Sequence, residues 1–288
     1  MLDQPESNSK TRRFSVGRFL VNAVALAALV GIAVWIASER RPTGAAAGAA
    51  LEGPPAKTTV SRSFRVAAFN IHGAKGKDDR RDIDRVAALL RDVDVVALNE
   101  VRGGGLGGED QASQLGKKLQ IPWLFAPAES RWGRDSFGNG LLCSLPVKSW
   151  MRIPLPTKGN VAGLRNVILA RVGVAGQDVN VLVVHIHRVE DRAEQLRTAL
   201  ALFDSLQPPS VILGDFNTRR GNSELAAFLA RPDVTDAHAG NAAEFPARID
   251  WILTRGLKVR TSRIIPNDAS DHPLVAAELE LSEDSVAR

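Results

Sequence analysis

From Phe19 to Ala37 the chain reads FLVNAVALAALVGIAVWIA, nineteen residues in which Asn22 is the one strongly polar side chain. At about 1.5 Å rise per residue, that run matches a hydrocarbon core of roughly 30 Å. A buried core helix of this length would carry a polar stripe, and this one has none. The pattern then changes. Residues 42–60 are rich in Ala, Gly, Pro and Thr, lack any apolar period, and read as a flexible tether. From residue 64 short apolar runs dominate: FRVAAFN (64–70), DVVALNE (94–100), PWLFAP (122–127), GNGLLCSL (138–145), NVILARVGV (166–174), VNVLVVHIH (179–187), SVILGDFN (210–217), ARIDWILT (247–254) and HPLVAAELEL (272–281). Gly, Pro, Asn or Asp bounds most of them, which predicts strands. Helical spacing predicts helices within 80–92, 111–119, 189–206 and 223–230. Strand-helix alternation that gives way to consecutive strands predicts a layered α/β domain, with two packed sheets and helices outside.

Charge around the apolar run sets an expected topology. Lys10, Arg12, Arg13 and Arg18 precede it, while Glu39, Arg40 and Arg41 follow. The heavier positive flank predicts a cytoplasmic basic N-terminus at 1–18, a single membrane anchor at 19–37, a linker at 38–60 and the main folded domain at 61–283 outside the cytoplasm. Export after cleavage is the rival reading, because Gly44 to Ala50 offers Ala-x-Ala sequences such as Ala45 and Ala47. Against cleavage, the run is longer than a usual signal core, and Arg40, Arg41 and Pro42 separate it from those alanines.

Composition narrows the classes further. The chain has 288 residues, 44% hydrophobic and 24% charged, with one Cys and no Tyr. Disordered, collagenous and multi-span membrane classes are excluded, as are a disulfide framework and a Cys-rich zinc site. The net charge is +5, yet residues 1–59 hold seven basic against four acidic groups, leaving a body of 30 against 28. The basic excess therefore serves topology more than a nucleic-acid surface.

Polar residues gather where the predicted strands end: Asn70, Glu100, His185, Asp215 with Asn217, and Asp271 with His272 just before the last run. Asn and Glu are oxygen donors suited to Mg²⁺. Period-two alternation puts Asp215 and Asn217 on one side with Phe216 packed inward, pairing an acceptor with an amide that can hold the same water.

FNIH, VALNE, GNGLLCSLPV, VVHIH, GDFN, RIDWIL and SDHP follow one another over residues 64–281. In that order they resemble the endonuclease/exonuclease/phosphatase family, whose members are DNase I-like phosphoesterases. The resemblance implies a four-layer αββα sandwich and Mg²⁺- or Mn²⁺-dependent attack of water on phosphorus. It implies Glu100 as the principal metal carboxylate, with Asn70 and Asp271 completing the shell. Asp215 would take or orient the proton of the attacking water, with Asn217 holding that water or a phosphoryl oxygen. His272, oriented by Asp250, would stabilise the developing charge, and His185 would join the phosphate pocket. Arg165, Arg134 and Asn139 are the expected further contacts to substrate phosphate. Two positions depart from the family pattern: Asn99 stands where relatives commonly have Gln, and Phe137 where Tyr is frequent.

Residues 103–108, GGGLGG, satisfy a dinucleotide fingerprint literally, but Glu100 and the Glu109-Asp110 pair bracket them with negative charge. His185-x-His187 is too sparse for a dinuclear histidine site, and His187 is read as a rim residue. Nucleic acid is the first substrate expected, gripped by Arg131, Trp132 and Arg134. A phospholipid or sphingomyelin phosphodiesterase, a phosphomonoesterase and a non-catalytic anchored module are the alternatives. No obligate protein partner is evident.

Overall fold

The computed structural model describes residues 9–37, 39–131, 133–159 and 163–282, and most of the predicted strands lie in two seven-stranded sheets. With strands numbered in chain order, the first sheet runs β1 (Arg41–Pro42), β5 (Trp123–Ser130), β6 (Phe137–Cys143), β4 (Val95–Arg102), β3 (Ser63–Asn70), β14 (Leu274–Leu281), β13 (Leu257–Ile265). The second runs β11 (Thr235–Asp236), β12 (Asp250–Arg255), β10 (Ser210–Asp215), β9 (Gln177–His185), β8 (Asn166–Val174), β7 (Val147–Pro154), β2 (Ala46–Gly48). Parallel pairing is confined to β3 with β4 and β9 with β10, so both sheets are mixed.

The near-continuous apolar strands are explained by burial on both faces. Between the sheets, Val66, Ala68 and Ala97 share one core with Ile168, Val183 and Leu213. On the outer face of the first sheet, Ala67, Phe69 and Leu98 pack with Val86 of α2 (Ile83–Leu89) and Leu115 of α3 (Gln111–Leu119). On that of the second, Leu182, Val184 and Ile212 pack with Phe203 of α4 (Arg192–Ser205) and Phe228 of α5 (Ser223–Leu229). Asp82, Asp110 and Asn222 cap α2, α3 and α5 by accepting from backbone N–H groups of the first turn. The order helix, sheet, sheet, helix is the expected four-layer sandwich.

Ahead of it, α1 (Ser9–Ala37) contains twenty residues, Gly17–Ile36, of mean hydropathy 2.5 and wholly unburied, long and apolar enough to cross a membrane. The stretch read as a flexible tether is in large part built into the sandwich instead. Arg41 and Pro42 pair with Ser130 and Glu129, Ala46–Gly48 pair with Trp150–Arg152, and Glu52 exchanges two 2.9 Å backbone bonds with Trp123. The reason is that β5 and β7 would otherwise leave open edges. The small residues that looked like linker composition allow close approach: a Cβ on Gly48 would lie 2.7 Å from the Trp150 ring, and one on Gly53 2.2 Å from that of Trp123.

Candidate active site

One row of pairing carries half of the site. At the end of the second sheet His185, Asp215 and Asp250 stand opposite one another on β9, β10 and β12. At the same end of the first sheet Asn70 pairs with Asn99. Alternation along β4 puts Ala97 between the sheets and Leu98 outside, yet Val101 also packs outside. A bulge between Leu98 and Val101 resets the register there, and it holds Asn99 and Glu100. Glu100 adopts φ +57°, Asn217 +47° and His72 +49°, left-handed backbone that non-glycine residues take at a cost of about 1–3 kcal/mol each.

The side chains converge. Asn70 Nδ2 donates to Glu100 Oε1 and to Asp215 Oδ2, both at 3.1 Å, and lies 3.5 Å from His272 Nε2. Asn217 donates from its backbone to Asp215 Oδ1 at 2.8 Å and from Nδ2 to Asp215 Oδ2 at 3.1 Å. That proximity comes from a left-handed turn beyond the end of β10, and only in part from strand alternation. His272 Nδ1 meets Asp250 Oδ2 at 2.8 Å, which aims Nε2 toward Asp215, 4.0 Å away. His185 Nε2 lies 3.7 Å from the same Asp215 oxygen. Ser270 Oγ donates to the Asn70 carbonyl at 2.7 Å and accepts from His272 N–H at 3.2 Å, tying the last loop to β3.

Burial and charge set the proton positions. Burial, and after it the Asp250 carboxylate, push the Asp215 carboxyl up to about 7. Burial also raises Asp250, against the opposing bond from His272. On His272 burial acts downward, but the Asp250 bond and the charges of Asp250, Asp215 and Asp271 override it and raise the imidazole to about 9. His185 is the reverse case: burial, then the Arg165 cation, hold it well below the ordinary histidine range. The site thus sets a cationic His272 and a neutral His185 on either side of a carboxylate that titrates near neutrality.

Two groups of donors invite a divalent cation. Asp215, Asp250 and His272 have ligand atoms within 4.8 Å of one another. There, an ion held by all three would have to displace the His272–Asp250 bond. Glu100, half-buried, and Asp215 instead both converge on the Asn70 amide, and these hard oxygen groups at the mouth fit a small divalent ion without breaking that pair. Asp271, expected as the third metal group, is 58% exposed at its side chain; it meets His72 Nδ1 at 3.5 Å and Ser270 Oγ at 3.3 Å, and no hydrogen bond joins it to Asn70 or Glu100.

The expected phosphate contacts divide. Arg165 is largely buried, lies over the Phe137 ring at 5.2 Å, and feels the charges of Glu100 and Asp215. Asn139 is 1% exposed with both ends of its amide engaged inside the protein, so it positions its neighbours. Arg134 is exposed on the turn between β5 and β6. Arg131 is bonded to Glu129 at 3.0 and 2.6 Å, and Trp132 lies outside the described residues. His187 donates its backbone N–H to Gln195 at the rim.

Asn99 is the residue whose role sequence reasoning missed. Fully buried, it accepts from Asp215 N–H at 2.9 Å and donates to the Val184 carbonyl at 2.9 Å and to Asn139 Oδ1 at 2.8 Å. Asn139 passes the network to Asn166, which donates to the Ala126 carbonyl. A chain of three buried amides therefore joins the two sheets directly behind Asp215. The available signal was three Asn residues inside apolar runs, each of which needs a buried partner.

Comparison with known proteins bears on the family of the chain. Residues 67–272 match the Endonuclease/Exonuclease/phosphatase family profile. No curated protein matches the chain. Among solved structures, an endonuclease/exonuclease/phosphatase from Beutenbergia cavernae is 26% identical, with 77% of this chain and 72% of that one covered and a TM-score of 0.63. A humanized D. rerio TDP2 is 19% identical, covering 76% and 100%, at TM-score 0.57. Sphingomyelinase C from Streptomyces griseocarneus is 17% identical, covering 75% and 99%, at TM-score 0.53, and shares the fold. With the profile spanning most of the sandwich, and with the Asn, Glu, Asp and His residues of its motifs at one end of both sheets, the chain belongs to the Endonuclease/Exonuclease/phosphatase family.

Proposed function

We propose that this protein is a divalent-metal-dependent phosphodiesterase in which water attacks phosphorus directly. The observation that carries the reading is the meeting of Glu100, Asp215 and His272 around the Asn70 side-chain amide, at 3.1, 3.1 and 3.5 Å. Asp215 is the base: two bonds from Asn217 and one from Asn70 fix both its oxygens, and a pKa near the working pH suits proton removal from water. His272, held by Asp250, presents a cationic N–H to a phosphoryl oxygen as negative charge builds. Glu100, with Asp215 beside it, would hold Mg²⁺ or Mn²⁺, and Asn70, whose Nδ2 donates to both carboxylates while its Oδ1 accepts from His72 N–H, would position them. When bound, the ion supplies positive charge to the phosphoryl oxygens and leaving group. Neutral His185 and the Arg165 cation line the other side of the pocket.

The full chain, rather than a fragment starting near residue 60, is the form to assay, because β1 and β2 belong to the sandwich. With bis(p-nitrophenyl) phosphate, Mg²⁺ should give cleavage that EDTA abolishes, and Asp215→Asn should lower kcat by at least about 10³-fold. Equal rates with and without metal would defeat the reading. The same edge strands favour a retained anchor, since cleavage after Ala47 would remove β1 and most of β2. A membrane-anchored enzyme with its body outside the cytoplasm is the proposed location.

A further inference from the structure

The loop that joins β7 to β8 delivers Arg165 to the active site, and the start of α4 clamps that loop from behind. The ladder of the two strands ends with Pro154 opposite Asn166, and beyond it the Leu155 N–H donates to the Arg165 carbonyl at 2.9 Å, so Arg165 stands where the returning loop re-enters the sheet. Just outside, Gln195 closes the loop at its base. Its Nε2 donates to the Pro156 carbonyl at 3.0 Å and to the Gly163 carbonyl at 2.9 Å, one on each limb. Its Oε1 accepts at 2.8 Å from the N–H of His187, two residues past His185 at the end of β9. Gln195 is fully buried, and these three bonds use both N–H donors and the oxygen of its carboxamide. One side chain therefore fixes the Arg165 loop against the strand that carries His185.

Asp191 is turned to the same loop. It occupies the position before α4 where an Asp ordinarily accepts from N–H groups of the first turn, yet its side chain makes no such bond. Its carboxylate, 1% exposed, accepts instead from Thr157 Oγ1 at 3.1 Å and from the Lys158 N–H at 3.0 Å. Gly163 is fitted to this contact, since a Cβ there would lie 2.2 Å from Asp191 Oδ2. Arg165 requires such support. It is largely buried, lies over the Phe137 ring and feels the charges of Glu100 and Asp215, and a desolvated guanidinium on a free loop would swing back to water.

We propose that Gln195, with Asp191, is the positioning residue that keeps the Arg165 guanidinium in the phosphate pocket, in fixed relation to His185. Arg165 supplies positive charge where the phosphoryl oxygens gain negative charge, and Gln195 acts only through the loop. The catalytic part rests on the phosphodiesterase reading; the clamp itself does not.

The full chain is assayed with bis(p-nitrophenyl) phosphate and Mg²⁺ in a double-mutant cycle between Gln195→Met, which keeps the bulk of the side chain and removes its three bonds, and Arg165→Ala. Gln195→Met should lower kcat about 10- to 100-fold with KM changed by less than about threefold. In the Arg165→Ala background it should lower kcat less than about twofold, because the group it positions is gone. Losses that multiply would mean that Gln195 only supports the fold, and would overturn the proposal. Gly163→Ala, which disturbs the Asp191 contact without emptying the core, goes through the same cycle with the same expectation and keeps the test decisive if Gln195→Met does not fold. Tryptic cleavage after the exposed Lys158, followed by fragment mass, reads the clamp without activity. Several-fold faster cutting is expected in either variant, and an unchanged rate overturns the clamp. A wild-type chain that cleaves no phosphate ester defeats the phosphodiesterase reading and the role of Arg165 with it, while the cutting rate still decides the clamp.

Discussion

Asp215 and His272 hold protons in opposite senses, and the sign of each gives a pH prediction. Asp215 must be ionised to act, so kcat/KM should rise as pH passes about 7; His272 must be protonated, so it should fall again near 9. The folded-state rise of Asp215 from 3.8 favours the neutral carboxyl, so stability from this position is present at low pH and is lost as pH rises toward 7. Asp215→Asn should therefore abolish activity yet raise Tm by a few degrees at pH 8, with little change at pH 4. Thermal melts at the two pH values check it, and equal shifts would contradict a buried, raised carboxyl. Which residues meet was legible in GDFN, VALNE and SDHP, because each chemistry-bearing side chain stands at the end of an apolar run. Their conformations were less so: the left-handed backbone of Glu100 and Asn217 depends on a bulge and a turn that tertiary contacts impose.

At the scale of the element, the buried amide chain and Gly214 decide how closely the sheets approach. Gly214 has φ +140°, and a Cβ there would stand 2.0 Å from the Val184 carbonyl oxygen and 3.1 Å from Asn99 Oδ1. Gly214→Ala should cost about 2–4 kcal/mol, and should lower kcat by displacing Asp215. Asn99→Leu removes the side-chain partner of the Asp215 N–H, the Val184 carbonyl and the Asn139 amide oxygen; a loss of about 2–4 kcal/mol by denaturant melts is expected. Strand and helix positions were readable from period because each layer buries a regular face. The amide chain was not, since it joins Asn99, Asn139 and Asn166 across two sheets and no local period marks such a contact. The segment 41–57 was misread for a related reason: Ala and Gly give the same composition to a loose linker and to a strand pressed against Trp150.

In the whole molecule the apolar helix leads within four residues into an edge strand of the sandwich. A chain beginning at residue 58 should lose several degrees of Tm and self-associate through the bared edges of β5 and β7, while one beginning at residue 39 should remain monomeric by light scattering. The central claim is direct attack of water on phosphorus at Asp215. Its most direct test is the stereochemical course of hydrolysis of a phosphodiester made chiral with sulfur and oxygen isotopes. Inversion at phosphorus is the predicted result; retention, which requires a covalent enzyme intermediate, would contradict it.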